Sequence, residues 1–159
     1  MNTYRHIACC IDDSGASAKA LAEAVRLRST FGPGRLSIVH VAPFPRVFAS
    51  GPGAMVVDCF SLVESAREWL DERAAMVPGA EAVLLEGPPP GVVCEWAKGE
   101  AVDLLIAGTH RGPLERMLLG SFAGHLVRHA PCSVLLTRPA PQARTFEEAV
   151  APASIGALR

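Results

Sequence analysis

Lysine is scarce in this 159-residue chain: only Lys19 and Lys98 occur. Neither stands in a Gly-x-x-x-x-Gly-Lys-Ser/Thr run, which excludes the lysine-bearing phosphate loop of common nucleotide hydrolases. No Gly-x-Gly-x-x-Gly follows the first apolar run, so a dinucleotide oxidoreductase is disfavoured. No Ser-His-Asp or Cys-His arrangement is visible in order, and any ATP hydrolysis is expected to be slow or incidental. An excess of one charge is missing too. Fifteen basic residues against 16 acidic ones leave a formal charge of −1, which offers no broad field to a nucleic acid or an anionic membrane. No apolar run approaches the roughly 18 residues needed to span a bilayer, and Met1 to Cys10 lacks the apolar core of a leader, so a soluble, cytoplasmic protein is expected. Of the five cysteines, no two form a Cys-x-x-Cys pair suited to zinc or redox work. Cys9, Cys10 and Cys132 fall in apolar runs where a thiol serves as a small hydrophobe.

What is present alternates short β-like runs with longer helix-like ones, the pattern of a parallel sheet covered by helices. His6–Ile11, Leu36–Val41, Ala82–Leu85, Asp103–Ala107 and Cys132–Leu136 are near-continuous apolar runs, as expected for five parallel strands buried on both faces. Ala20, Leu21, Ala24, Val25, Leu27 and Phe31 recur at helical spacing behind Ser14, a good N-cap, and Gly32-Pro33-Gly34 stops that helix. Leu62, Val63, Ala66, Trp69, Leu70, Ala74 and Val77 form a second stripe ended by Pro78-Gly79, with Arg67, Glu68, Asp71, Glu72 and Arg73 assigned to its solvated side. A third helix is expected from about Pro90 to Gly99 and a fourth from Ser121 to His129, ahead of Pro131. Right-handed crossovers then fix one doubly wound α/β sheet. The Pro- and Gly-rich stretch Ala42–Val57 is a long loop at the sheet's carboxyl edge, where ligand crevices form. One domain over residues 1–139 is expected, followed at 140–159 by a tail read as mobile or as packing on a partner subunit.

The segment from Gly108 to Ser121 lies between an apolar strand and a helix. A helix beginning at Gly120-Ser121 leaves its first amides unpaired and its dipole positive, while glycines let the chain approach a ligand closely. This reads as a phosphate-binding loop. The first strand ends in Ile11-Asp12-Asp13-Ser14, placing a carboxylate at a strand's carboxyl end, where it can accept hydrogen bonds from an adenosine group. Asp12 and the glycine segment become neighbours if the first and fourth strands are adjacent where strand order reverses.

Ile11-Asp12-Asp13-Ser14-Gly15-Ala16-Ser17, Val39-His40-Val41, Leu118-Leu119-Gly120-Ser121 and His129-Ala130-Pro131-Cys132-Ser133-Val134-Leu135 together resemble the universal stress protein family, over about Tyr4 to Arg138. The resemblance implies a flavodoxin-like five-stranded parallel sheet in the order 3-2-1-4-5, of the adenine nucleotide alpha-hydrolase-like kind. It also implies a homodimer paired through the last strand and, in one branch of the family, bound ATP or a related adenine nucleotide. No metal is required by the sequence, although Mg accompanies ATP where ATP is the ligand. Carried over by matching position, Asp12 would meet the adenine or ribose, Val41 would offer backbone groups to the adenine ring, and Gly108 would border the ribose and phosphates. Gly120 and Ser121 would cap the phosphates.

The family signature is a glycine, two residues, a second glycine, nine residues, then Gly-Ser or Gly-Thr. Here Arg111 holds the second glycine's place, Gly112 follows it, and the spacing on to Gly120 is one residue short. Three readings stand open: Gly112 serves as the second glycine, Arg111 crowds the phosphate path, or the Arg111 guanidinium is itself a phosphate ligand. Each carried-over residue also has a plain structural role to set against the functional one. Asp12 could hydrogen-bond the start of its own helix, Gly108 could only turn the chain through a positive φ, Val41 is core in either case, and Ser121 could be a simple cap. His110 is read as ordering the loop rather than as catalytic, and Arg116 as solvated. His125 and His129, four apart on one helix, have no third ligand marked for a metal. Cys59 and Cys94 are ordinary helix-face residues. The fifth strand, Cys132 to Thr137, has no proline before Pro139 and is the edge expected to pair with a second copy. Two functions compete: a regulatory module that binds an adenine nucleotide, and an interaction protein of the same fold acting through dimerisation without a nucleotide.

Overall fold

The computed structural model describes residues 4–32, 34–42, 59–109 and 120–138. In chain order the elements are β1 (His6–Cys10), α1 (Gly15–Phe31), β2 (Arg35–Ala42), α2 (Cys59–Ala75), β3 (Ala80–Glu86), α3 (Pro89–Gly99), β4 (Leu104–Gly108), α4 (Ser121–His129) and β5 (Ser133–Thr137). The strands form one all-parallel sheet in the order β3-β2-β1-β4-β5, as the resemblance implied. Strand ends differ from the sequence reading by one or two residues, most visibly in β3, which gains Ala80, Glu81 and Glu86. The expected loop after Ala42, the positions Arg111 and Gly112, and the tail at 140–159 lie outside the described residues.

Successive strand side chains point to opposite faces, so the central strands feed two cores. Ile7, Cys9 and Ile11 of the first strand run pack with Leu36, Ile38, Leu104 and Ile106 beneath α1 and α2. Ala8 and Cys10 pack with Val39, Leu105 and Ala107 beneath α3 and α4. Complete burial of Ile7, Leu36, Ile38, Leu105 and Ile106 stabilises the fold by about 1.5–3 kcal/mol per side chain, before chain entropy is set against it. Arg73 departs from the sequence reading. It is buried rather than solvated, because its stem lies along α2 and its guanidinium sits 4.5 Å from the centre of the Trp69 ring.

At the amino end of the sheet the polar groups close on one another. Asp103 Oδ2 accepts the backbone N–H groups of both Arg5 and His6 at 2.8 Å. The buried His6 ring bridges Ser37 Oγ at 2.8 Å and the Glu100 carbonyl at 3.1 Å. Arg35 pairs with Glu81 and Glu100 at the rim.

Gly108, the last residue of β4, is where α1 comes closest to the sheet. A Cβ built there would lie 2.6 Å from the Ala16 carbonyl carbon and 2.7 Å from the Ala16 oxygen and Cβ. Among the described residues the glycines with positive φ are Gly32, Gly79 and Gly87, and Gly108 is not one of them. The residue is therefore required by helix–strand contact and not by a left-handed turn, which corrects one of the two sequence readings. Because the obstructing atoms are mostly backbone, they cannot be relieved by a rotamer change. Gly108→Ala is expected to cost about 1–3 kcal/mol, the range of overpacking. A thermal melt checks this, with an unchanged midpoint contradicting the contact.

Candidate functional site

The carboxyl ends of β1, β2 and β4 and the first residues of α4 enclose a cleft of about 450 Å³. It sits where strand order reverses between β1 and β4, the usual ligand position in doubly wound sheets. Of the residues singled out from sequence, Asp12, Val41, Gly108, Gly120 and Ser121 all line it, although more than a hundred positions separate the first from the last. Arg111 and Gly112 lie outside the described residues, so the three readings of the shortened loop stay as they were.

Asp12 is held by the start of α1. Its Oδ1 accepts from the Ser14 and Ser17 hydroxyls, each at 2.5 Å, and its backbone N–H donates to Ser17 Oγ at 2.9 Å. Ser14 is the N-cap and its hydroxyl also accepts the Ser17 N–H at 3.3 Å. The carboxylate thus serves the start of its own helix through two serines, as the structural reading had it, and also lines the cleft.

The N-cap of α4 is Gly120 and not Ser121, which is the first helical residue. Gly120 has φ −50° and ψ 155°, and its carbonyl accepts the Gly124 N–H at 2.8 Å. Helix geometry directs the amides of Ser121, Phe122 and Ala123 out of the helix toward the cleft, where the dipole carries roughly half a positive charge. A Cβ at Gly120 would meet nothing within 4 Å, so a side chain there would not be crowded. Thr109 fastens the neighbouring strand exit, with both its N–H and its hydroxyl donating to the Thr137 carbonyl at 2.8 and 3.1 Å.

Sequence reading missed Ser17 and His40 as cleft residues. Each left a signal: Ser17 repeats a hydroxyl one helical turn after Ser14, and His40 interrupts the apolar run of β2. Among the described residues, no group of three or more His, Cys, Asp or Glu side chains is placed to hold a metal. His125 and His129 stack with ring centres 4.4 Å apart and draw in no third ligand. No helix among the described residues is long and apolar enough to cross a membrane.

Cys10 forms part of the cleft floor, and burial, with Cys94 and Cys132 adding to it, pushes its thiol up to about 12. Burial also raises the neighbouring Cys9 thiol. The thiolate is the nucleophile in alkylation, so neither group is suited to covalent chemistry near neutral pH. In the native protein at pH 8, iodoacetamide is expected to leave Cys9 and Cys10 unmodified, and to label both after denaturation, as peptide mass spectrometry would read. The sign of the linkage follows. Below about pH 9 Cys10 is protonated in both states; between about 9 and 12 only the unfolded chain ionises, so its contribution to stability falls as pH rises across that window.

The chain is a doubly wound α/β domain in which a helix N-terminus and a held carboxylate line one cleft. A family model described as the universal stress protein family matches residues 3–138, and the chain belongs to that family. A universal stress protein of Methanocaldococcus jannaschii is 29% identical over 144 residues, covering 86% of this chain and 84% of its own. A universal stress protein solved in complex with cAMP superposes with a TM-score of 0.60 at 20% identity, covering 87% of this chain and 100% of its own. A family member from Arabidopsis thaliana solved with AMP bound gives a TM-score of 0.59 at 17% identity, covering 88% of this chain and 94% of its own. At these identities the structural likenesses speak for the fold.

Proposed function

We propose that this universal stress protein is a regulatory module whose cleft binds an adenine nucleotide, ATP or a relative of it, with little or no catalysis. The observation that carries the reading is the meeting of Asp12 with the N-terminus of α4 in one cleft. Hydroxyl or amino donors of a nucleoside suit the carboxylate, and phosphate oxygens suit the amides at Gly120–Ala123. The AMP and cAMP complexes of structural neighbours add support for an adenine ligand. In this reading Asp12 and Val41 face the adenosine, Gly108 borders the ribose, and Gly120 and Ser121 take the phosphates, with Arg111 and Gly112 completing the loop. Mg would enter only with ATP.

Calorimetric titration of freshly purified protein with AMP and ATP tests the reading. Wild type is expected to bind. Gly120→Val is expected to weaken binding at least about tenfold, roughly the worth of one or two lost hydrogen bonds, while the melting point moves little because no atom crowds that position. A wild type that binds neither nucleotide ends this proposal.

A second copy of the chain is the proposed partner. Of the two sheet edges, β3 carries Glu81 and Glu86, whereas β5, Ser133–Thr137, has no charged residue. Val134, Leu135 and Leu136 on β5 are only partly buried and Val127 on the adjoining α4 is exposed. An uncharged edge of this kind favours pairing over solvation, which supports a homodimer through Cys132 to Thr137. Light scattering is expected to give about twice the chain mass of 16.8 kDa, and a monomer mass independent of concentration would remove the dimer.

A further inference from the structure

Two hydrogen bonds converge on a single peptide unit at the cleft floor. The Ile11 carbonyl accepts from His40 Nδ1 at 2.9 Å, and the Asp12 N–H, on the other side of the same planar unit, donates to Ser17 Oγ at 2.9 Å. A carbonyl oxygen only accepts, so Nδ1 must carry the ring proton, and neutral His40 is the Nδ1–H tautomer. The ring is kept in place from α2, with its centre 4.9 Å from that of Trp69, and Trp69 is in turn covered by the Arg73 guanidinium.

The register gives this bond a second consequence. β1 and β2 pair in parallel up to Cys10↔Val39, and the last ladder bond runs from the Ile11 N–H to the Val39 carbonyl at 2.9 Å. By the parity of a parallel ladder, the N–H and C=O of Val41 point toward the β1 side, and one further step would send the Val41 N–H to the Ile11 carbonyl. The Ile11 carbonyl takes the His40 Nδ1–H on one of its two lone pairs, and no bond from the Val41 N–H reaches it. The ladder stops one step early, and the Val41 backbone edge is left facing the cleft that Val41 lines.

We propose that His40 is a positioning residue for ligand recognition: by capping the Ile11 carbonyl it fixes the peptide that carries Asp12 and keeps the Val41 backbone edge available to a ligand. Neither effect requires the ring to touch the ligand. The proposal rests on the nucleotide reading only for what the ligand is; the conformational part stands on the ladder itself. A ligand with a flat hydrogen-bonding edge, such as a purine base, suits a backbone N–H and C=O presented side by side, with the Asp12 carboxylate fixed nearby.

The test compares wild type with His40→Asn, whose side-chain amide can still donate to the Ile11 carbonyl, and His40→Leu, which cannot. Three readouts are taken: the ring tautomer by nitrogen-15 NMR, hydrogen exchange of the Asp12 and Val41 amides, and AMP affinity. Expected are an Nδ1–H tautomer in wild type and, in His40→Leu, slowed exchange at Val41 as the ladder closes, with faster exchange at Asp12. AMP affinity is expected to fall about tenfold in His40→Leu and to stay within about threefold of wild type in His40→Asn. An Nε2–H tautomer, unchanged Val41 and Asp12 exchange in His40→Leu, or equal losses of affinity in both variants would overturn the proposal. If wild type binds no AMP, the nucleotide reading fails by itself, and the tautomer and exchange results still decide the role of His40.

Discussion

The contact of α1 with the end of β4, Ala16 against Gly108, is the constraint on which the rest of the carboxyl end depends. Only a residue without a Cβ allows the helix backbone so close to the strand. That closeness brings Ser14 and Ser17, in the first turn of α1, to the place where β4 leaves the sheet. The Asp12 carboxylate that these serines hold then lies across from the start of α4 and not above open solvent. Moving α1 outward by the radius of a methyl group would separate the two halves of the cleft together with the two helix starts.

The two ends of the sheet divide the work. At the amino end each strong polar group finds a partner within the chain: Asp103 takes two backbone amides, and His6 lies between Ser37 and the Glu100 carbonyl. Buried polar groups satisfied in this way help to specify register. At the carboxyl end, the starts of α1 and α4 and the ends of β1, β2 and β4 meet around the cleft. The polarity of parallel strands and their crossover helices creates this asymmetry.

Most of the architecture was legible because it depends on pattern. Five apolar runs, the Ser14 cap and the stops at Gly32 and Gly79 are local signals, and right-handed crossovers turn them into one topology. Asp12, Gly108, Gly120 and Ser121 were legible as candidates because strand ends and glycines mark the carboxyl edge, whereas Val41 and the strand order came from the family resemblance. What composition could not reveal was the reason for a residue. Gly108 looks like a turn glycine until the Ala16 backbone is placed beside it. Arg73 looks solvated until Trp69 offers its face. His40 looks like one more strand residue, since its role depends on where β1 stops, which is a property of the pairing and not of either strand alone.

The cleft's own charge inventory bears on what kind of ligand handling fits it. Its described lining has one carboxylate, Asp12, and no lysine or arginine. Phosphoryl transfer depends on several fixed positive charges around the transferring group to stabilise the charge spread over its oxygens. A helix N-terminus supplies about half a charge, spread over three or four amides, which is enough to hold a phosphate and far less than a lysine, a metal and an arginine acting together. On the proposed reading, the described groups left to discriminate between ligands are a backbone edge and a fixed carboxylate. A backbone edge and a fixed carboxylate recognise a ligand by its pattern of donors and acceptors, and that is the chemistry the described part of this cleft presents.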